Sequence, residues 1–236
     1  MIPIRFRRRR WALHLPAALA LSAALLVSCG DDADAPQPIA EAPQPAFTLQ
    51  LLHLSDMDGS DATALASVAN MSAQIERLKA SYPAATLLLS SGDNYIPGPR
   101  FNAANDPALS APSLLGKAEV GRADIAFLNA MGVQASALGN HELDLNTRQF
   151  RDIIAVDGAW AGAAFPYLAY NVDFAADPST APLVAPNGQD VAGLRNKVTG
   201  WATVTVGGQR IGLIGASSPT FTTITSTGSL GFSPAQ

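Results

Sequence analysis

From Phe47 onward, apolar runs alternate with amphipathic segments, and polar turns separate them. Thr48-Leu49-Gln50-Leu51-Leu52-His53-Leu54 is almost continuously apolar, as a strand covered on both faces should be. Val68, Met71, Ile75, Leu78 and Tyr82 follow at steps of 3, 4, 3 and 4, one stripe of an amphipathic helix that Pro83 ends. Thr86-Leu87-Leu88-Leu89-Ser90 is a second buried strand, so the three segments form a βαβ unit with parallel pairing. Residues 94–113 carry four prolines and form a long loop. Residues 121–131 predict a helix packed through Ile125 and Leu128, and 133–138 a third strand. A helix over 146–156 turns Phe150, Ile153 and Ile154 inward, and 165–172 is a fourth strand after a proline entry. After a Pro- and Asp-bearing loop at 175–193, the runs 198–206 and 210–216 flank Gly207-Gly208 and predict a hairpin with a tight turn. No internal repeat is visible.

Three of the strands close on polar turns: Ser55-Asp56-Met57-Asp58-Gly59, Ser91-Gly92-Asp93-Asn94, and Gly139-Asn140-His141-Glu142-Leu143-Asp144. In open α/β sheets ligands bind at the carboxyl ends of strands, so these turns point to one composite site. Asp56 and Asp58, two positions apart on extended chain, face the same way, and adjacent like charges are costly without a cation between them. Asp93 can join them and Asn140 adds a neutral oxygen, a donor set for hard or borderline divalent ions. Two such ions about 3.5–4 Å apart clamp a phosphoryl group and activate a water. His141 is placed to stabilise developing charge or protonate a leaving oxygen, with Asp144 fixing its tautomer. Each post-strand Asp taken alone is more ordinarily a helix cap or turn former; the pattern of three turns in order carries the signal.

Composition changes the picture at the N-terminus. The first 29 residues form an export signal: a basic segment through Arg10, an apolar segment from Trp11 to Val27, and Leu26-Val27-Ser28-Cys29. The last four resemble the bacterial lipobox, in which Cys29 is lipidated and becomes the first residue of the mature protein. An ordinary secretory leader, or a twin-arginine signal at Arg9-Arg10-Trp11, are the competing readings. The leader holds five of the 15 basic residues and none of the 19 acidic ones, so the remainder carries a net charge of about −9. Such a body is a poor partner for nucleic-acid polymers, which need a basic face, and is compatible with cations. Cys29 is the only cysteine, which excludes internal disulfides. Residues 30–46, rich in Asp, Ala and Pro, are a tether, and the folded part spans 47–236.

Leu52-His53-Leu54-Ser55-Asp56-Met57-Asp58-Gly59, Gly92-Asp93-Asn94 and Gly139-Asn140-His141-Glu142-Leu143-Asp144 together resemble the calcineurin-like metallophosphoesterases, and within them the 5'-nucleotidase branch. The likeness continues through Phe165-Pro166, Asn171-Val172 and Ile211-Gly212-Leu213-Ile214-Gly215. It implies an α/β fold, a mixed β-sheet sandwich flanked by helices, with the site at the strand C-termini. It also implies Asp56, Asp58, Asp93 and Asn140 as ligands of two divalent ions (Mn, Mg, Fe or Zn), Asp93 bridging, and His141 with Asp144 as the catalytic pair. The implied activity is hydrolysis of a phosphomonoester, a nucleotide above all, outside the cytoplasmic membrane by a lipid-anchored protein. A cyclic-nucleotide phosphodiesterase and a non-catalytic binding lipoprotein are the alternatives.

Two departures stand out. The family carries Asp-x-His at the first turn where this chain has Asp56-Met57-Asp58, which hardens that metal site. The family also completes its site with later histidines, and none follows His141, so the chain is expected to be the N-terminal part of a longer domain. Outside the constellation, His53 is expected to be a core or supporting residue and Glu142 a support for the helix that follows. Arg100 is expected to be a solvated cation, and Asn70-Met71-Ser72 is discarded as a glycosylation site because it lies within a helix.

Overall fold

Leu87 and Leu88 are neighbours in the chain, both buried, and belong to different hydrophobic cores. They lie on a strand whose successive side chains point to opposite faces of its sheet, and the fold is built outward from that alternation. The computed structural model describes residues 47–59, 63–110 and 115–234. The export signal, Cys29 and the tether lie outside the described residues. Among the described residues no helix is long and apolar enough to cross a membrane.

The elements in chain order are β1 (Gln50–Leu54), α1 (Ala64–Lys79), β2 (Thr86–Ser90), α2 (Pro99–Ala103), α3 (Arg122–Met131), β3 (Ala135–Ala137), α4 (Thr147–Ile154), β4 (Tyr167–Leu168), β5 (Val172–Asp173), β6 (Val198–Thr199), β7 (Trp201–Val206), β8 (Gln209–Ile214), α5 (Phe221–Ile224) and β9 (Gly231–Phe232). One sheet holds β1, β2, β3, β4 and β6 in that order, every pair parallel. The order follows the sequence without reversal, so right-handed crossovers place successive helices on the same face. That face is covered by Val68 and Ile75 of α1, Ile125, Leu128 and Met131 of α3, and Phe150, Ile153 and Ile154 of α4, packed with Leu88 and Tyr167. Each of these large side chains contributes about 1.5–3 kcal/mol of transfer free energy. On the other face the β7–β8 hairpin sets Ala202, Val204 and Val206 against Leu87, Ala135 and Leu168. Gly207 and Gly208 turn the hairpin with φ of 57° and 77°, the positive pair that a two-residue turn between twisted strands requires.

Three expectations are corrected. β1 is not buried on both faces: it is the edge strand, its residues alternate between half-buried and exposed, and Leu51 is 58% exposed. Its apolar run reflected strand propensity; the cover that run implied is absent among the described residues. The run 198–206 is not one hairpin arm. Val198–Thr199 pairs with Tyr167–Leu168 in the main sheet, and the chain then passes through Gly200 to the second layer. A Cβ at Gly200 would meet Asn187 Oδ1 at 2.9 Å and Tyr170 Cδ2 at 3.0 Å, so the crossing needs a residue without one. Finally, the run 165–172 divides into β4 and β5, the latter antiparallel to β9.

Beside α3 and α4 the fully buried Arg122 guanidinium donates to Asp152 O and Leu115 O, pairs with Asp157 Oδ2 at 2.8 Å and lies 5.6 Å from the Trp160 ring. Hydrogen bonds from Lys117 and Arg122 hold the Asp157 carboxyl down, at about 2. Asp157→Asn is expected to cost about 1–2 kcal/mol at neutral pH. That is less than for a wholly buried pair, because Asp157 is 44% exposed and Arg122 keeps its carbonyl acceptors. The folded pKa lies below the unfolded value of about 3.9, so the contribution is complete above the unfolded value and fades as pH falls towards the folded one. Thermal melts of both proteins from neutral to acid pH should converge; a constant gap would contradict this ion pair's part in stability.

Candidate functional site

The three polar turns emerge side by side because β1, β2 and β3 are parallel neighbours. Asp56 and Asp93, each just beyond its strand, both adopt left-handed backbone, with φ of 51° and 52°. Asp tolerates this region better than most residues, yet it is sparsely populated, and such residues cluster at functional sites. Met57 N donates to Asp93 O at 2.8 Å, tying the first turn to the second, and Asp58 N closes back on Asp56 O at 2.7 Å. Met57 buries its side chain in the core while Asp56 and Asp58 on either side stay exposed.

The second and third turns are locked by Glu142. Its buried carboxylate accepts from Asp93 N at 2.9 Å, Asn94 N at 2.8 Å and Gly139 N at 2.9 Å. Burial pushes its pKa up, to about 7, with the charge of Asp93 adding to the rise and the three backbone donors opposing it. Gly92 and Gly139 pass so closely that a Cβ on either would collide with the other turn's backbone. His141 N completes the join by donating to Asp93 Oδ1 at 2.8 Å. Below, the fully buried Asn94 accepts from Ser90 Oγ at 2.5 Å and donates to Ser136 Oγ at 2.8 Å and Tyr167 Oη at 2.9 Å. The ends of β2, β3 and β4 thus form one satisfied polar network beneath the turns.

His141 Nδ1 lies 2.6 Å from Asp144 Oδ2, and because the carboxylate accepts, Nδ1 carries the proton. Burial alone would lower the imidazole pKa, but the hydrogen bond and charge of Asp144, with the charges of Asp93 and Glu142, raise it above its ordinary value. Thr225 Oγ1 donates to Asp144 Oδ1 at 3.1 Å, so Asp144 is held from both sides. The loop after β8 reaches the site a second time where Ser217 Oγ donates to Leu138 O at 2.8 Å.

The structure therefore brings Asp93, Asn140, His141 and Asp144 together and joins the Asp56/Asp58 turn to them through backbone. The donor chemistry, three carboxylates and an amide oxygen on touching turns, fits divalent cations. Among the described residues no three His, Cys, Asp or Glu side chains are gathered closely enough to hold an ion.

Three side-chain expectations change. Arg100 is buried, not solvated: its Nε pairs with Asp124 Oδ1 at 2.6 Å and its other nitrogens hold Met57 O and Asp58 O. Glu142 supports the turns rather than the following helix, whose N-terminus is capped by Asn146 accepting from Gln149 N at 3.1 Å. His53 is exposed on the edge strand and bonded to Ser91 Oγ, because no layer covers that side of β1 among the described residues. Sequence reasoning also missed Asn94, Thr225 and Ser217. Only Asn94, adjacent to Asp93, carried a local signal.

No family model matches the sequence. No curated protein matches it. The 5'-nucleotidase precursor from Thermus thermophilus matches in structure with a TM-score of 0.53 at 23% identity, over 80% of this chain and 32% of that one. The likeness is one of fold: a parallel sheet flanked by helices. NAD nucleotidase from Haemophilus influenzae also matches, with a TM-score of 0.50 at 20% identity, over 79% of this chain and 29% of that one. The chain spans about a third of the length of these two proteins. The expected architecture of sheets flanked by helices is met: the main sheet is parallel, and the hairpin layer contributes the antiparallel pairing.

Proposed function

We propose that this chain carries the N-terminal part of a metal-dependent phosphoester hydrolase, a 5'-nucleotidase-like phosphomonoesterase acting outside the cytoplasmic membrane. The observation that carries it is the coupling of Asp93 to both neighbouring turns, through Met57 N and His141 N, beside a His141–Asp144 pair at 2.6 Å. Nucleotidase-named neighbours in structure support the substrate class. Asp56, Asp58, Asp93 and Asn140 would hold two divalent ions, with Asp93 shared between them. Such ions supply Lewis-acid polarisation of phosphoryl oxygens and a water acidic enough to attack phosphorus at neutral pH. Asp144 accepts the Nδ1–H hydrogen bond of His141 and favours the doubly protonated ring, whose Nε2–H can meet the phosphoryl group or hand its proton to the leaving oxygen. Thr225 keeps Asp144 from rotating away. The basic and apolar leader with Cys29 at its boundary supports export and lipid anchoring.

Phosphate release from 5'-AMP by the full-length polypeptide, with Mn2+ and with excess chelator, tests the reading. Release that needs the metal supports it. Turnover of a 2',3'-cyclic nucleotide in place of 5'-AMP selects the phosphodiesterase, and inertness towards both leaves a binding lipoprotein. His141→Ala should keep the metal and slow turnover about 10²–10⁴-fold, the usual weight of a general acid or base. Unchanged turnover would remove His141 from catalysis.

A further inference from the structure

We infer that Arg100, anchored by Asp124, is the positioning residue that sets the Asp56/Asp58 turn for metal binding; this rests on the metal-dependent reading proposed above. Arg100 grips three consecutive carbonyls of the first turn. Its Nη2 donates to Met57 O, its Nη1 to Asp58 O at 3.3 Å and its backbone N to Gly59 O at 3.3 Å. Its Nε is spent on Asp124 Oδ1 at 2.6 Å, and both side chains are buried, at 6% and 1% exposure. A Cβ at Gly59 would meet Arg100 Cβ at 2.6 Å and Nε at 2.8 Å, so the turn closes directly onto the guanidinium.

The division of labour suits arginine alone. A guanidinium presents donors in a fixed planar fork, so one edge faces the carboxylate while the rest spread over two carbonyls; an ammonium has no such geometry. With the carbonyls drawn inward, Asp56 and Asp58 stay at the exposed surface, and Asp56 sits at a φ of 51°, in a sparsely populated region, directly before the three gripped carbonyls. Asp124 Oδ1 is the oxygen that meets Arg100 Nε, and Asp124 Oδ2 is buried with no hydrogen-bond partner among the described residues. No residue of the pair reaches the solvent-facing side of the turn, so neither is a catalytic residue.

The test is Mn2+ affinity of the full-length chain, measured from free Mn2+ by electron paramagnetic resonance, alongside thermal melting. In Arg100→Leu/Asp124→Leu the buried charges leave together, so folding should survive, while Mn2+ affinity should fall about 10–100-fold, the usual effect of losing a residue that orients a ligand. Arg100→Lys keeps a cation beside Asp124 and serves where the double variant fails to fold; it should recover stability yet leave Mn2+ affinity weakened. A folded double variant, or Arg100→Lys, with wild-type Mn2+ affinity would overturn the positioning role. Wild-type protein that binds no Mn2+ would instead overturn the metal reading itself, and the positioning role with it.

Discussion

Alanine at Asp93 should reduce kcat/KM for 5'-AMP by at least about 100-fold, since residues that merely orient metal ligands already cost 10–100-fold when lost. Asp93 lies in the turn that follows the middle strand of the three that end in the site, and the turns on either side are both bonded to it. Its carbonyl accepts Met57 N from the first turn and its Oδ1 accepts His141 N from the third, each at 2.8 Å. Removing the carboxylate takes away the proposed shared ligand and unties the turn that carries Asn140 and His141. The backbone link to Met57 remains, and alanine fits Asp93's left-handed φ of 52° less well than aspartate does. Asp93→Asn separates the two effects, because it keeps an oxygen for His141 N and loses the charge. Asn should therefore melt close to wild type and still be inactive. Steady-state kinetics with a melt of each variant would check this, and an active Asp93→Asn would show that the charge is not needed.

The largest loss of stability is expected from Glu142→Ala. Its carboxylate satisfies the backbone N–H groups of Asp93, Asn94 and Gly139, and Tyr95 Oη donates to its carbonyl at 3.1 Å. Truncation strands three donors beneath the site, each costing about 1–3 kcal/mol when buried and unpaired. A total of about 3–5 kcal/mol is expected, large among single substitutions, and equal to a fall in Tm on the order of 10 °C for a domain of this size. Glutamine should be milder, because one oxygen is kept and only the donors facing its amide nitrogen are lost. Gly139→Ala should resemble Glu142→Ala by a different route. Its Cβ would collide with Asp93 and approach Glu142 Oε2 to 2.7 Å, so the two turns would have to part. Calorimetric melts decide it: if Glu142→Ala melts within a degree or two of wild type, the carboxylate is not what holds the turns together.

The elements whose pattern is local were legible. The α1 stripe gave Val68 and Ile75 their burial, and Gly207-Gly208 turned the hairpin as two adjacent glycines between apolar runs should. Of the candidate site, the adjacency of its three turns was legible, because Asp56, Asp93 and the 139–144 turn each follow an apolar run closely. What escaped depends on neighbours far away in sequence. Whether β1 is covered on one face or two is set by the second layer, not by its own composition. Arg100 looked like any charged loop residue, since its partners Asp124, Met57 and Asp58 come from other segments. Thr225 meets Asp144 across 81 residues, with no spacing rule to announce it. Glu142 was seen and misassigned, because a carboxylate beside a helix start ordinarily serves that helix. Here the backbone donors of its own turn and of the adjacent one were the nearer need.

The measurement that bears most directly on the site is metal stoichiometry of the full-length chain, by equilibrium dialysis against Mn2+ with elemental analysis. Wild type should be run beside Asp93→Ala and Asp56→Ala/Asp58→Ala. Two ions bound by wild type, fewer than one by Asp93→Ala and at most one by the double variant is the result that a shared carboxylate between touching turns requires. Wild type binding none, or all three proteins binding alike, would contradict it.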